Sequence, residues 1–227
     1  MRGMAHRRAL GVLLSLAAAA VVLSACGGGG GGATSTSSSL PQGCQEAAKP
    51  QPRHVNLKPP QQEVRPGEKL AAAVETSCGT FDISLDTQES PKTVNSFVYL
   101  ADKGVYDDTT FHRIVPDFVI QGGDPLGTGG GGPGYSVDEP PPPRTQYTKG
   151  TVAMAKTAVE PAGRSGSQFF VVTAAAAGLP PQYAVLGKIS SGESVVNRIA
   201  TLGSASSGQS GAPVATVVIK TIKVKGG

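Results

Sequence analysis

The chain has 227 residues, room for one domain of ordinary size, with 31 glycines, 18 prolines, 5% aromatic residues and no tryptophan. That composition argues against a helical bundle and for a turn-rich β protein with unstructured parts. The formal charge is +4, but Arg2, Arg7 and Arg8 precede Cys26 with no acid among them; this leaves 17 bases against 16 acids and no basic field for nucleic acid.

In chain order, the first segment is a targeting signal. Three arginines are followed by an apolar run, residues 9–23, too short for a comfortable membrane span. It ends Leu-Ser-Ala-Cys at 23–26, which looks like a bacterial lipobox; an ordinary signal peptide is the alternative. Residues 1–25 are then a lipoprotein signal peptide, and Cys26 is the lipidation site and first mature residue. Two acyl chains there would suffice for stable anchoring. The expected location is therefore extracytoplasmic, on the outer face of a cytoplasmic membrane. Residues 26–67 read as the lipid-anchored linker: glycine, serine and threonine to residue 39, then a more extended stretch rich in proline and glutamine. His54 lies in it with no ligand partners nearby.

Residues 68–227 read as the folded domain. Strands are expected over 70–76 and 80–86, the second alternating with Phe81, Ile83 and Leu85 inward. A helix follows, with Ser90 as N-cap, Pro91 at the first helical position, an apolar stripe of Val94, Phe97, Val98 and Ala101, and Gly104 as its stop. Further strands are expected over 150–156, 167–173, 184–189 and 214–224, with a second helix over 193–202. The glycine-rich run 127–134 lacks the Gly-Lys-Ser/Thr of a phosphate-binding loop. The four prolines at 140–143 exclude a central strand there. Cys44 and Cys78 are an even pair in an oxidising compartment. A disulfide between them is the favoured reading and two separate thiols the alternative. His112 is the only histidine of the domain, so no metal site and no cofactor is expected.

The most informative stretch is 111–124, Phe-His-Arg-Ile-Val-Pro-Asp-Phe-Val-Ile-Gln-Gly-Gly-Asp. Arg113, Val119 and Gln121 share a strand parity that Phe118 does not, so a straight strand cannot place all four on one surface; Pro116 is a plausible break. With Ser-Gly-Ser-Gln-Phe-Phe at 165–170 and a looser block at 179–188 ending Val-Leu-Gly-Lys, this stretch resembles the cyclophilins, the peptidyl-prolyl cis–trans isomerases. The resemblance spans about residues 69–225. It implies a mainly β fold, a closed eight-stranded antiparallel β-barrel capped by two α-helices.

The resemblance also implies the site. Arg113 would donate to the prolyl amide and Gln121 would position it. Phe118, Val119, Phe170 and Leu179 would grip the proline ring, and Ala155, Lys156 and Thr157 would bind the substrate backbone. Gln168, Gly127 and Tyr183 would line the groove; Tyr183 stands where many members have histidine. His112 belongs to the motif as a structural residue. Gly178 stands where the drug-binding members carry tryptophan, so weak cyclosporin binding is expected. The implied activity is isomerisation of X–Pro bonds in extracytoplasmic polypeptides, assisting their folding, by a monomer. A tethered module that binds proline-containing peptides without turnover is the rival reading.

Overall fold

The computed structural model describes residues 40–226. The expectations for the signal peptide, for lipidation at Cys26 and for the run to residue 39 lie outside the described residues. Alternation builds the first hairpin: β1 (Leu70–Thr76) and β2 (Gly79–Leu85) pair antiparallel and bury Ala72, Val74, Phe81 and Ile83. Helix α1 (Pro91–Asp102) follows, burying Val94, Phe97, Leu100 and Ala101, and Gly104 closes it with a left-handed φ of +65°.

Then come β3 (Thr109–Thr110), β4 (Arg113–Val115), β5 (Val119–Gly122), β6 (Val137–Asp138) and β7 (Thr151–Met154). They are followed by β8 (Arg164–Ser165), β9 (Phe169–Val172) and β10 (Val185–Ser191). Helix α2 (Glu193–Ala200), a 3₁₀ segment (Ala205–Ser210) and β11 (Val218–Gly226) complete the chain.

Nine strands form one sheet in the order β3-β11-β1-β2-β10-β7-β9-β5-β4, every pair antiparallel. Its end strands β3 and β4 are separated only by Phe111 and His112. Residues 109–115 are thus one bent strand whose two halves pair at opposite ends of the sheet. With β3 and β4 counted as one, the nine strands become the expected eight, closed through that bend. The inner face carries Ile114, Ile120, Val152 and Val171. Phe97, Tyr106 and Phe111 surround Phe169, all with centroids within 6.1 Å of its ring. Val94, Phe97 and Leu100 of α1 and Val195, Val196 and Ile199 of α2 belong to the same core.

Two expectations are corrected. Ser90 stands at the N-cap of α1, but its side chain makes no capping bond. Glu139 caps instead, its two carboxylate oxygens accepting from Lys92 N at 3.1 Å and Thr93 N at 2.7 Å. That gives the polyproline loop a structural role: β6 pairs with β8, Asp138 forks with Arg164 at 2.8 and 2.7 Å, and Glu139 is delivered to the helix end. Glu139→Ala is expected to lower the unfolding free energy by about 1 kcal/mol, as loss of an N-cap does; urea denaturation reads it, and an unchanged midpoint removes the cap.

The second correction is the linker. Its described part, 40–67, is a strap packed on the barrel, because its backbone finds fixed partners. Cys44 is disulfide-bonded to Cys78. Leu40, Cys44, Val55 and Leu57 pack against the core, and Val64 is buried in it. Asn95 of α1 accepts from the N–H groups of Glu63 and Val64 and donates to Gln61 O. His54 is exposed, as expected. Order therefore begins by residue 40 and not near residue 69.

Candidate functional site

Strand register assembles the site. Arg113 on β4 stands opposite Gln121 on β5, Gln121 opposite Phe170 on β9, and Phe170 opposite Ala153 on β7. Directly paired residues project to the same face, here the outer one, where Val119, Tyr147, Ala153, Phe170 and Val172 form a second apolar cluster. Phe118 reaches the same surface because it is not in a strand. It closes the β4–β5 turn, in which Asp117 takes a left-handed φ of +52°. The parity conflict in the sequence is resolved by that turn.

Arg113, Phe118, Val119, Gln121, Phe170, Leu179 and Tyr183, with Ala155 and Lys156, line one cavity of about 220 Å³. Its floor is apolar and its rim carries the guanidinium. Arg113 Nη1 donates to Gln121 Oε1 at 3.3 Å, Nε donates to Gln209 O at 3.0 Å, and Cζ lies 5.8 Å from the centre of the Phe118 ring. Gln121 Nε2 donates to Gln168 Oε1 at 3.0 Å, and Gln168 Nε2 donates to Gly129 O and Gly131 O, both at 2.9 Å. A chain of amides thus leads from the glycine-rich loop to the guanidinium. Partial burial lowers the Arg113 pKa from its ordinary value, with Tyr183 pulling the other way; the group stays cationic at neutral pH.

The far wall is Tyr183, and Tyr147 sets it. The buried Tyr147 hydroxyl accepts from Tyr183 N at 2.9 Å and donates to Tyr183 O at 2.7 Å, and the two rings meet edge to face at 5.9 Å. Lys156 Nζ lies 5.6 Å from the centre of the Tyr183 ring and donates to Thr157 O and Glu160 O. Tyr147 and Gln209 are missing from the residues expected from sequence. No periodicity singles out Tyr147, and Gln209 acts mainly through its carbonyl, which any residue has.

A larger cavity of about 480 Å³ adjoins the first and shares Gln121, Ala155 and Lys156 with it. Thr157 and Gln168 line this second cavity only, together with Gly129, Gly130, Gly131 and Gly132. Gly127 lines neither. Its φ of +65° folds it back toward Thr110, so the loop residues that reach the groove come two positions later. The Asp124 carboxylate is pushed up by burial, but the N–H groups of Leu126, Thr128, Gly129 and Gly131 outweigh that and hold it below its ordinary value. This contribution to stability is present above the ordinary carboxylate range and is lost as pH falls through the depressed pKa.

Burial lowers the His112 pKa, with Asp124 opposing, and the ring lies outside both cavities, which fits a structural role. Gly178 has a left-handed φ of +64°, so a tryptophan there would be strained despite the open space around it. Among the described residues no group of three or more His, Cys, Asp or Glu could hold a metal ion, and no helix is long and apolar enough to cross a membrane.

What the groove offers is an oriented guanidinium, with the Lys156 ammonium as a second cation, beside an apolar cavity of the size of a small ring, on an open strand face. The family model described as "Cyclophilin type peptidyl-prolyl cis-trans isomerase/CLD" matches residues 71–224. The chain is 41% identical over 131 residues to peptidyl-prolyl cis-trans isomerase-like 1 of Neurospora crassa, covering 56% of this chain and 78% of that one. It is 35% identical over 202 residues to the probable peptidyl-prolyl cis-trans isomerase B of Mycobacterium leprae, covering 81% of this chain and 65% of that one. A crystal structure of a Cryptosporidium parvum cyclophilin-type isomerase, determined in the presence of the dipeptide Ala-Pro, superposes with a TM-score of 0.62 at 31% identity. The match covers 69% of this chain and 99% of that one.

Proposed function

The chain belongs to the cyclophilin-type peptidyl-prolyl cis–trans isomerases, and from that premise we propose that it is an exported, lipid-tethered isomerase acting on X–Pro bonds of polypeptides outside the cytoplasm, where it assists their folding. The observation that carries the catalytic part is the Arg113 guanidinium, held by Gln121 at the rim of an apolar cavity. Resonance in the peptide C–N bond sets a rotational barrier of roughly 18–20 kcal/mol. At the twisted geometry the prolyl nitrogen regains its lone pair. A donor aimed at that nitrogen stabilises the twisted state more than the planar one.

In this reading Phe118, Val119, Phe170 and Leu179 hold the ring while the preceding carbonyl swings. Arg113 donates to the nitrogen, and Gln121 keeps the fork oriented. Ala155, Lys156 and Thr157 hold the peptide backbone, and Gln168 and Tyr183 bound it. No bond is broken, so no nucleophile is needed. The groove walls meet from one chain, and a monomer suffices. Macrocycles of the cyclosporin type bind weakly, since Gly178 supplies no indole.

The tether rests on the lipobox-like end of the signal segment at Cys26. Two measurements test the proposal. The soluble domain, residues 40–227, should speed exchange of an X–Pro peptide in NMR exchange or protease-coupled assays; a domain that binds the peptide without speeding exchange is the rival binding module. Cys26→Ser should release the full chain from membranes, and unchanged fractionation removes the anchor.

A further inference from the structure

The glycine-rich loop is the least self-supporting wall of the groove. Six glycines, at 127, 129, 130, 131, 132 and 134, stand between Pro125 and Tyr135. Glycine loses more backbone freedom on ordering than any other residue, so such a loop does not hold one shape unaided. Yet Gly129, Gly130, Gly131 and Gly132 form a side of the larger cavity.

Bonds from three directions hold it. Inside, Asp124 accepts from Leu126 N, Thr128 N and Gly129 N. From the groove, Gln168 ties the carbonyls of Gly129 and Gly131. From outside comes the strap. Arg53 N donates to Pro125 O at 2.9 Å where the loop begins, and Leu57 N donates to Pro133 O at 2.7 Å where it ends. At Gly134 the strap lies so close that a Cβ would meet Asn56 Oδ1 at 2.7 Å.

The strap can carry this load because it is clamped at both ends. Upstream is the Cys44–Cys78 disulfide, and downstream Asn95 takes the N–H groups of Glu63 and Val64. Between them the Arg53 guanidinium donates to the carbonyls of Gly104, Val105 and Asp107. The strap precedes the matched family region, which begins at residue 71.

We infer that strap residues 53–57 are positioning residues for substrate selection: they stretch the glycine-rich loop between two fixed points and so set the fit of substrate residues flanking the proline, without touching substrate. The inference rests on the isomerase reading of the groove. The larger cavity joins the proline-sized one through Gln121, Ala155 and Lys156, so a peptide seated in the first places a flanking side chain in the second. A looser loop therefore weakens binding of peptides with a large flanking side chain and leaves a glycine-flanked peptide unaffected.

The test is Leu57→Pro, which deletes the N–H that holds Pro133 O and also trims the Leu57 packing on the core. Leu57→Ala, which keeps the N–H and should leave both peptides as in the parent, controls for the lost side chain. Lys58→Pro, at the exposed neighbouring position, controls for stiffening. KM and kcat are measured for a glycine-flanked X–Pro peptide and for one with a bulky flanking residue, alongside the melting temperature. Leu57→Pro is expected to raise KM for the bulky peptide about fivefold, the equivalent of one net hydrogen bond. Its kcat, and both constants for the glycine-flanked peptide, should stay as in the parent, and Lys58→Pro should match the parent throughout. If Leu57→Pro does not fold, Arg53→Ala frees the strap from the 104–107 carbonyls and should show the same split. Equal effects on both peptides, or none on either, overturn the inference while the isomerase stands. A parent inactive on both peptides removes the isomerase reading and the inference with it.

Discussion

Arg113→Ala is expected to lower kcat/KM on an X–Pro peptide by roughly 10²–10³, the usual loss when one transition-state donor is removed. The size follows from the role proposed for the guanidinium. It is cationic, partly desolvated and held by Gln121, so its hydrogen bond to the developing lone pair needs no reorganisation. Binding of the ground-state peptide should fall much less, because Phe118, Phe170 and Leu179 still surround the ring. Arg113→Lys should recover little: an ammonium on a flexible stem does not reproduce a planar fork bonded on two sides. The fold should persist, since Arg113 is half-exposed on the outer face and the neighbouring Ile114 supplies the core contact. Exchange rate and affinity measured on one peptide for both proteins decide it. Equal rates would take Arg113 out of the mechanism. A loss of affinity with no turnover in the parent would make the groove a binding module.

Removing the disulfide is expected to have the largest effect on stability. Cys44 and Cys78 are 34 positions apart, and closing a loop of that size restricts the unfolded chain by about 4 kcal/mol in the chain-entropy view. For a domain whose whole stability is on the order of 5–15 kcal/mol, this is a large share. The Cys44→Ala/Cys78→Ala double variant, or the parent under reductant, should unfold at clearly lower urea. Below the transition its catalytic constants for a glycine-flanked peptide should match the parent, because no strap residue lines the cavity around Arg113. An unchanged midpoint after full reduction would show that the bond does not stabilise the domain.

Much of the framework was legible from residue order because it is local. The 70–76 strand has the expected bounds, Phe81, Ile83 and Leu85 point inward, and α1 starts at Pro91 and stops at Gly104. Each follows from a period of two or 3.6, or from a fixed φ, and neither needs the rest of the molecule. The parity that joins Arg113, Val119 and Gln121 is of the same kind, and β4 and β5 obey it. Motif resemblance supplied the partners on β9 and in the 179–183 loop. All nine residues around the smaller cavity were among those it implied.

Tertiary structure alone decided the rest, for one physical reason. The deciding bonds join backbone groups, which every residue carries, or side chains far apart in the chain. A proline- and glutamine-rich stretch reads as free linker, yet its N–H groups meet the carbonyls of Pro125 and Pro133 and it becomes a strap. Ser90 has the composition of a cap, but the carboxylate of Glu139, 46 positions from Thr93, occupies the helix end. Gly127 resembles a groove residue until its left-handed turn carries Gly129 and its successors there instead. Tyr147 becomes part of the site only when its hydroxyl closes on both backbone groups of Tyr183. By itself the amino-acid order determined the first hairpin, the two helices, the even cysteine pair and the shared parity of Arg113 and Gln121; the last strand, expected over 214–224, runs Val218–Gly226, and the short β6–β8 pair has no signal in the order. Packing determined what buttresses the face that carries Arg113, because distant hydrogen bonds leave no periodic trace along the chain.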